Sequence, residues 1–305
     1  MRKSERTMLV GFLAPVVAIF LVFFTYPALR TVYMSLFKMT GLAQASSEWE
    51  FVGFQNYSEL FQHPLFKLSY INIIKIGVIG GIATFAVALF FAVVLSAKVK
   101  GKKLWRAVVY LPNIITPVAL VTMWNQYIFN NEYGLFHNFF SMLGLEGLAA
   151  IPWTSTEWSF TAMMIAYCFG SVGYYMIIFM SAMEKIPEDY YDYAALEGAG
   201  KLYIFWKITF PLLRDTTRTA VTFWTISSVN FFLWSRVFNV DPTAPQTIVP
   251  ANLMFNMVFG GAKSGAIANQ LNVGGGCAVG VLLCLTIVLF FAVINFIGSK
   301  ERYEY

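Results

Sequence analysis

Polar and apolar residues do not alternate along this chain; they separate into long apolar runs joined by shorter polar stretches. A membrane-spanning helix needs about 20 predominantly apolar residues. Six runs qualify: residues 8–25 continuing past Pro27, 71–97, 107–129, 159–183, 216–237 and 273–297. The pattern predicts an all-α polytopic membrane protein with six spans, and residues 1–305 are expected to form a single transmembrane domain. Pro112 and Pro117 interrupt the third run, and proline removes a helical hydrogen bond. A kink is expected there, either to shape a cavity or to pack the helix. Residues 37–69 read as a polar loop with a short amphipathic piece at Ser58–Phe61. A loop carrying Pro242, Pro245, Pro250 and several glycines follows the fifth run. No internal repeat is evident.

The basic residues orient these spans. An even number of spans puts both termini on one side. That side holds Arg2, Lys3, Arg6, Lys98, Lys100, Lys102, Lys103, Arg106, Lys185, Lys201, Lys207, Arg214, Arg218, Lys300 and Arg302, fifteen of the 21 basic residues. Short loops rich in Lys and Arg stay cytoplasmic, so both termini are expected in the cytosol. Arg2, Lys3 and Arg6 ahead of an apolar run imitate a signal peptide, but the run is too long and lacks a small-residue cleavage site before Tyr26-Pro27-Ala28, so an uncleaved anchor is expected. Arg30 and Arg236 fall at outer span ends, as anchors or contacts for an external protein. Lys75 lies about one turn inside the second span, where an ammonium can snorkel to the headgroups.

Composition agrees with a bilayer as solvent. The 305 residues are 58% hydrophobic and 12% charged, with 30 Phe and eight Trp, against roughly a quarter charged in a soluble domain. The net charge of +5 is dispersed over loops, which orients helices and does not form a nucleic-acid surface. Cys168, Cys277 and Cys284 sit in apolar runs without ligand spacing, and His63 and His137 are far apart, so no metal site is expected. No phosphate-binding glycine loop and no HExxH is present. The chain is expected to be no enzyme and to bind no cofactor.

The one long polar-leaning segment between spans on the basic side is Ile186–Pro211, IPEDYYDYAALEGAGKLYIFWKITFP. Pro187, Glu188 and Asp189 suit a helix start, Gly198 suits a helix end, and a second helical piece follows from Lys201. A helix–turn–helix held against the membrane by two spans suits docking into another protein's groove. Its residues Asp192-Tyr193-Ala194, then Gly198, then Ile208-Thr209-Phe210-Pro211 resemble the EAA motif of permease subunits of ABC importers: Glu-Ala-Ala, three residues, Gly, nine residues, Ile-x-Leu-Pro. The spacing matches at every anchor, with Asp192, Tyr193 and Phe210 replacing Glu, Ala and Leu. The resemblance runs over nearly the whole chain. Phe51-Val52-Gly53 with Asn56-Tyr57, Leu111-Pro112-Asn113, Phe129-Asn130 with Tyr133-Gly134, and Ile186-Pro187-Glu188 resemble the carbohydrate-importer branch, the maltose and glycerol-phosphate type.

That resemblance implies a type I permease fold in a prokaryotic plasma membrane, with segment 186–211 as a cytoplasmic coupling helix. It implies a second homologous permease, two ATPase subunits holding ATP and magnesium, and an extracytoplasmic substrate-binding protein. Tyr190, Asp192, Ala194, Ala195, Glu197, Gly198 and Ala199 would contact the ATPase. A sugar path needs rings to stack on pyranose faces and short polar groups to bond hydroxyls. Trp224, Ser227, Ser228 and Phe231 fall on one helical face at offsets 0, 3, 4 and 7, with Asn230 and Trp234 beside it; Tyr167, Ser171 and Tyr174 fall on another. The same residue types also serve helix packing in membranes. The competing reading is an ion-coupled secondary transporter, which usually shows midplane charges and a repeated half. A membrane enzyme is disfavoured by the lack of a reactive constellation.

Overall fold

The computed structural model describes residues 3–97, 99–239, 241, 244–260 and 271–298. The expected loop bases at Lys98, Lys263, Lys300 and Arg302, Pro242, and Arg2 lie outside them. Helix α1 spans Lys3–Phe20, widens into a π turn at Leu21–Thr25 and resumes over Tyr26–Met34. Strands β1 (Phe37–Lys38) and β2 (Glu50–Phe51) pair antiparallel, Phe37 opposite Phe51, and α2 follows over Gln55–Gln62. Helix α3 runs Pro64–Ser96 with a π turn at Ile76–Gly80. Then come α4 (Lys102–Ile114), α5 (Pro117–Ile128), α6 (Leu135–Met142), α7 (Glu146–Ala149), α8 (Ser159–Met183) and α9 (Asp189–Leu196). Helix α10 begins over Lys201–Ile204 and passes through a π turn to Phe210–Leu212; α11 (Arg214–Val229), α12 (Phe232–Phe238), α13 (Pro250–Phe259) and α14 (Val273–Gly298) complete the chain.

The all-α expectation agrees with this architecture, but the six continuous spans do not. Among the described residues four helices are long and apolar enough to cross a membrane, in α1, α3, α8 and α14, and five if α4 and α5 count as one bent span. The proline-bearing third run breaks at Ile115–Thr116 and turns by 99°. Pro117 opens α5 in the first-turn position where its missing N–H costs nothing. The expected fifth span, 216–237, is instead two helices. Asn230 leaves the helical region at φ −89°, ψ 36° and ends α11 after 16 residues, about 24 Å at 1.5 Å per residue. Arg214, Asp215 and Arg218 in its first turns leave it too polar for a free-standing span. The proline-rich loop after residue 237 contains α13, because Pro250 starts a helix as readily as it stops one.

The described residues form two compact units, one of those up to Lys67 with those of Leu253–Leu285, the other of those of Leu68–Asn252 with those from Thr286 onward. In the first, buried Asn56 donates to the Ser35 and Phe37 carbonyls at 2.8 and 2.9 Å, and the Val273 N–H donates to Met39 O at 2.9 Å. These bonds fix the hairpin against the start of α14.

The second unit is built round α8. Ala162, Ala166, Met176 and Phe179 of α8 are fully buried beneath α4, α11 and the second half of α3. At Gly173 the α4 backbone comes so close that a Cβ would overlap Val109 O and lie 2.6 Å from Tyr110 Cα. The π turn of α3 leaves carbonyls outside the regular ladder, which in a membrane need other donors. The Trp224 indole donates to Gly77 O at 2.8 Å, and the Cys168 thiol donates to Gly80 O at 3.5 Å. Phe85 closes this region with ring contacts to Tyr175 at 5.0 Å and Trp224 at 5.9 Å. Buried Asn72 donates to Gln246 O and Ile248 O at 3.0 and 2.9 Å, fixing the segment ahead of α13.

Candidate coupling turn and translocation cavity

Two features of the second unit have the chemistry of a site, and α8 connects them. The first is the segment that follows it. Glu184, just past α8, pairs with Arg106 of α4 at 2.9 Å. Ile186 is buried and pins the chain before α9 begins. Helix α9 starts at Asp189, its first turn carrying Asp189 and Asp192 at the positive end of the helix dipole.

Its end is set by Gly198, at φ +73°. The Ala199 N–H donates to Ala194 O at 2.9 Å and the Gly198 N–H to Ala195 O at 3.0 Å. These two bonds satisfy carbonyls that a helix end leaves open, in the Schellman arrangement that favours glycine at this position. No side chain lies within 4 Å of where a Gly198 Cβ would stand. The turn therefore requires glycine for its backbone conformation and not for space. Thr209 donates to the Tyr191 hydroxyl at 3.5 Å, tying α9 to α10.

Of the expected coupling residues, Tyr190, Asp192, Ala195, Glu197 and Gly198 are exposed, and Ala194 and Ala199 are half-buried. All seven are on one short helix and its turn. The segment also exposes apolar side chains that sequence reasoning passed over: Tyr193 is 70%, Leu196 84% and Leu202 77% exposed. The signal was available in the grouping of Tyr193, Leu196 and Leu202 within one short polar-flanked segment, since clustered exposed apolar side chains mark a partner surface where a single one does not.

The second feature is a cavity of about 520 Å³ walled by α4, α5, α8, α11 and α12. This volume lies in the range of small-molecule sites. The broken third span shapes it: Pro112, Asn113, Ile115 and Pro117 flank the 99° bend and line the wall. Of the expected substrate residues, Tyr167, Ser171, Tyr174, Ser227 and Asn230 line this one space. Trp224, Ser228 and Phe231 do not. They are 2%, 2% and 1% exposed and belong to the packing behind the wall. The offsets 0, 3, 4 and 7 do describe one stripe of α11, but the stripe has two sides. Ser227 faces the cavity, whereas Trp224 turns toward α3 and its π turn. Trp234 on α12 joins the lining because the break at Asn230–Phe231 redirects the chain.

Hydrogen bonding within the wall limits what it can offer. Ser171 Oγ donates to Tyr167 O at 2.9 Å, and Asn113 Nδ2 donates to Gly170 O at 3.3 Å. Both side chains therefore present lone pairs to the cavity. Lys75 lies elsewhere, exposed, its Nζ 5.6 Å from the Phe160 ring centroid, and Arg236 stacks over Phe232 at 5.8 Å. Among the described residues no group of three or more His, Cys, Asp or Glu could hold a metal ion.

Residues 85–302 match the family model described as the binding-protein-dependent transport system inner membrane component. The chain is 24% identical over 306 residues to the diacetylchitobiose uptake system permease protein NgcF of Streptomyces coelicolor, covering 96% of this chain and 82% of that one. A bacterial ABC transporter for import of the acidic polysaccharide alginate superposes with a TM-score of 0.80 at 17% identity, covering 98% of each chain. A bacterial alginate transporter solved with an alginate pentasaccharide-bound periplasmic protein gives 0.78 at 18% identity, covering 96% of this chain and 94% of that one. With more than two thirds of its length matched by one family model, and the same helical fold recurring in transporter chains, this chain belongs to the family of inner membrane components of binding-protein-dependent transport systems.

Proposed function

We propose that this chain is the permease subunit of an ATP-driven ABC importer that carries a sugar or oligosaccharide into the cytoplasm. The observation that carries the reading is that an aromatic, uncharged cavity and an exposed helix–turn share one rigid helix. From Ser171 at the cavity to Met183 at its end, α8 covers about 18 Å at 1.5 Å per residue and leads directly into the segment ending at Gly198. A push on α9 is then felt at the cavity as a rigid-body displacement, the kind of motion by which packed helices switch between discrete arrangements. Substrate would pass between this chain and a second, homologous permease. Two ATPase subunits would hold ATP and magnesium, and an external binding protein would deliver the sugar, as the periplasmic protein of the alginate neighbour suggests.

In this arrangement Tyr190, Asp192, Ala194, Ala195, Glu197, Gly198 and Ala199 meet the ATPase, with Tyr193 and Leu196 filling its groove. Tyr167, Ser171, Tyr174, Ser227 and Asn230 meet the sugar. The basic loops put both termini and the α9 segment in the cytosol. An ion-coupled secondary transporter is disfavoured by the family membership and by a cavity that, among the described residues, has no charged group to bind the ion.

The test is a photo-crosslinking residue at Leu196 in cells expressing the whole transporter. An ABC ATPase subunit should be the principal adduct. Adducts to lipid alone, or to a protein without an ATPase fold, would overturn the coupling assignment.

A further inference from the structure

We infer that the substrate is an uncharged glycoside, selected against acidic sugars by the cavity wall of this chain itself. The inference rests on the carbohydrate reading above and narrows it. Among the described residues the wall holds no Lys, Arg, His, Asp or Glu; its polar groups are Asn113, Tyr167, Ser171, Tyr174, Tyr175, Ser227, Asn230 and Trp234. An acidic polysaccharide such as alginate, imported by the solved transporter of the same fold, would meet no counter-charge on this wall.

Beyond the lack of cations, two of the wall's donors are already committed to its own backbone, and every donor left free is neutral. The Ser171 proton is committed to Tyr167 O and one Asn113 N–H to Gly170 O. What remains at Ser171 is a pair of lone pairs, and at Asn113 the amide oxygen and one N–H. The Ala119 N–H, in the first turn of α5 beside the wall, is turned to the Thr116 hydroxyl at 3.5 Å, and Pro117 has no N–H to give.

Such a wall exchanges neutral hydrogen bonds with sugar O–H groups, Ser171 and the Asn113 oxygen accepting and Tyr174, Asn230 and Trp234 donating, and stacks rings on apolar sugar faces. The hydroxyls of a neutral sugar supply protons to the Ser171 and Asn113 acceptors. A carboxylate, sulfonate or phosphate supplies none; it brings further lone pairs against Ser171 and Asn113. Taking an ionised group out of water without a counter-charge is strongly unfavourable. Asn230, Tyr174 and Trp234 offer neutral donors only, which stabilise an anion far less than a guanidinium fork does.

The experiment uses the complete transporter in proteoliposomes with its binding protein, and also the solubilised complex without it. The probes are maltotriose, cellotriose and diacetylchitobiose, each paired with the same sugar oxidised at C6 to the uronate. Quenching of tryptophan emission, checked by loss of the signal in Trp234→Phe, reports binding to the cavity without the binding protein's own selectivity. For at least one pair the neutral member should bind and be carried at least about tenfold better than its uronate, the discrimination expected when an anion meets no counter-charge. Introducing a cation by Ser171→Arg should narrow or invert that ratio. If the uronate binds as well as or better than its neutral partner in the wild type, the inference is overturned while the carbohydrate reading stands. If no member of any pair binds or is carried, the carbohydrate reading falls and takes this inference with it.

Discussion

Replacing Gly198 separates conformational from steric control of the α9 turn. The residue is held at φ +73°, where a side chain with a Cβ costs about 1–2 kcal/mol and where Asn is the best tolerated alternative. Nothing lies within 4 Å of the added Cβ, so size contributes little. Cost should therefore follow backbone preference: smallest for Gly198→Asn, larger for Gly198→Ala, and largest for the β-branched Gly198→Val, which is a true outlier at positive φ. If the turn opens to relieve that strain, the Ala199–Ala194 and Gly198–Ala195 bonds go with it, each worth about 0.5–1.5 kcal/mol. At about 1.4 kcal/mol per tenfold, Ala should lower the affinity of the permease for its ATPase by roughly five- to thirtyfold, with Val beyond that. The assay is ATPase recovered on the purified permease as a function of ATPase concentration, alongside sugar-stimulated ATP turnover. Membrane levels of the permease should not change, because the turn is exposed. If Val retains wild-type affinity and turnover, the left-handed turn is not what presents α9 to its partner. If Ala and Asn are equally damaging, backbone preference does not govern the turn.

Three further outcomes follow from the second unit. Trp224→Phe removes the donor to the part-buried Gly77 O at the α3 π turn and should cost about 1–3 kcal/mol of stability, the penalty of a carbonyl left unpaired away from bulk water. It should lower the melting temperature of the solubilised complex while leaving the KM for sugar unchanged. Tyr174→Ala should do the reverse, since Tyr174 is 37% exposed at the cavity wall: KM for uptake rises several-fold with little change in melting temperature. Gly173→Ala drives a methyl into the α4 backbone and should cost about 1–3 kcal/mol as overpacking, read as loss of monodisperse complex on size-exclusion chromatography.

How far the chain was legible from sequence depended on where the signal was local. Apolar run length located α8 and α14 to within a residue, because the membrane imposes that length directly; α1 and α3 start five and seven residues before their apolar runs, and α3 takes in residues 64–69, expected as loop. Gly198 and the acids ahead of it announced α9 and its turn, since capping is settled by the residues themselves. The broken third span was announced by Pro112 and Pro117, though its 99° angle was not. Asn230 gave no comparable warning: it leaves the helical region at φ −89°, ψ 36° with no proline or glycine to mark the break. Trp224 illustrates the limit most plainly. Its spacing put it on the stripe with Ser227, yet its indole N–H is claimed by a carbonyl 147 residues away. No one-dimensional pattern carries the existence of that π turn's unmet acceptor. Helix α13 was hidden by Pro250, read as a loop residue when it stands at a helix start.

The most direct test of the central claim is uptake of a labelled sugar into proteoliposomes holding the reconstituted transporter and its binding protein, energised in turn by ATP alone and by an ion gradient alone. The account predicts accumulation with ATP, none with the gradient, and parallel loss of uptake and sugar-stimulated ATP hydrolysis in Gly198→Val. Accumulation driven by the gradient without ATP would contradict it and restore the secondary-transporter reading.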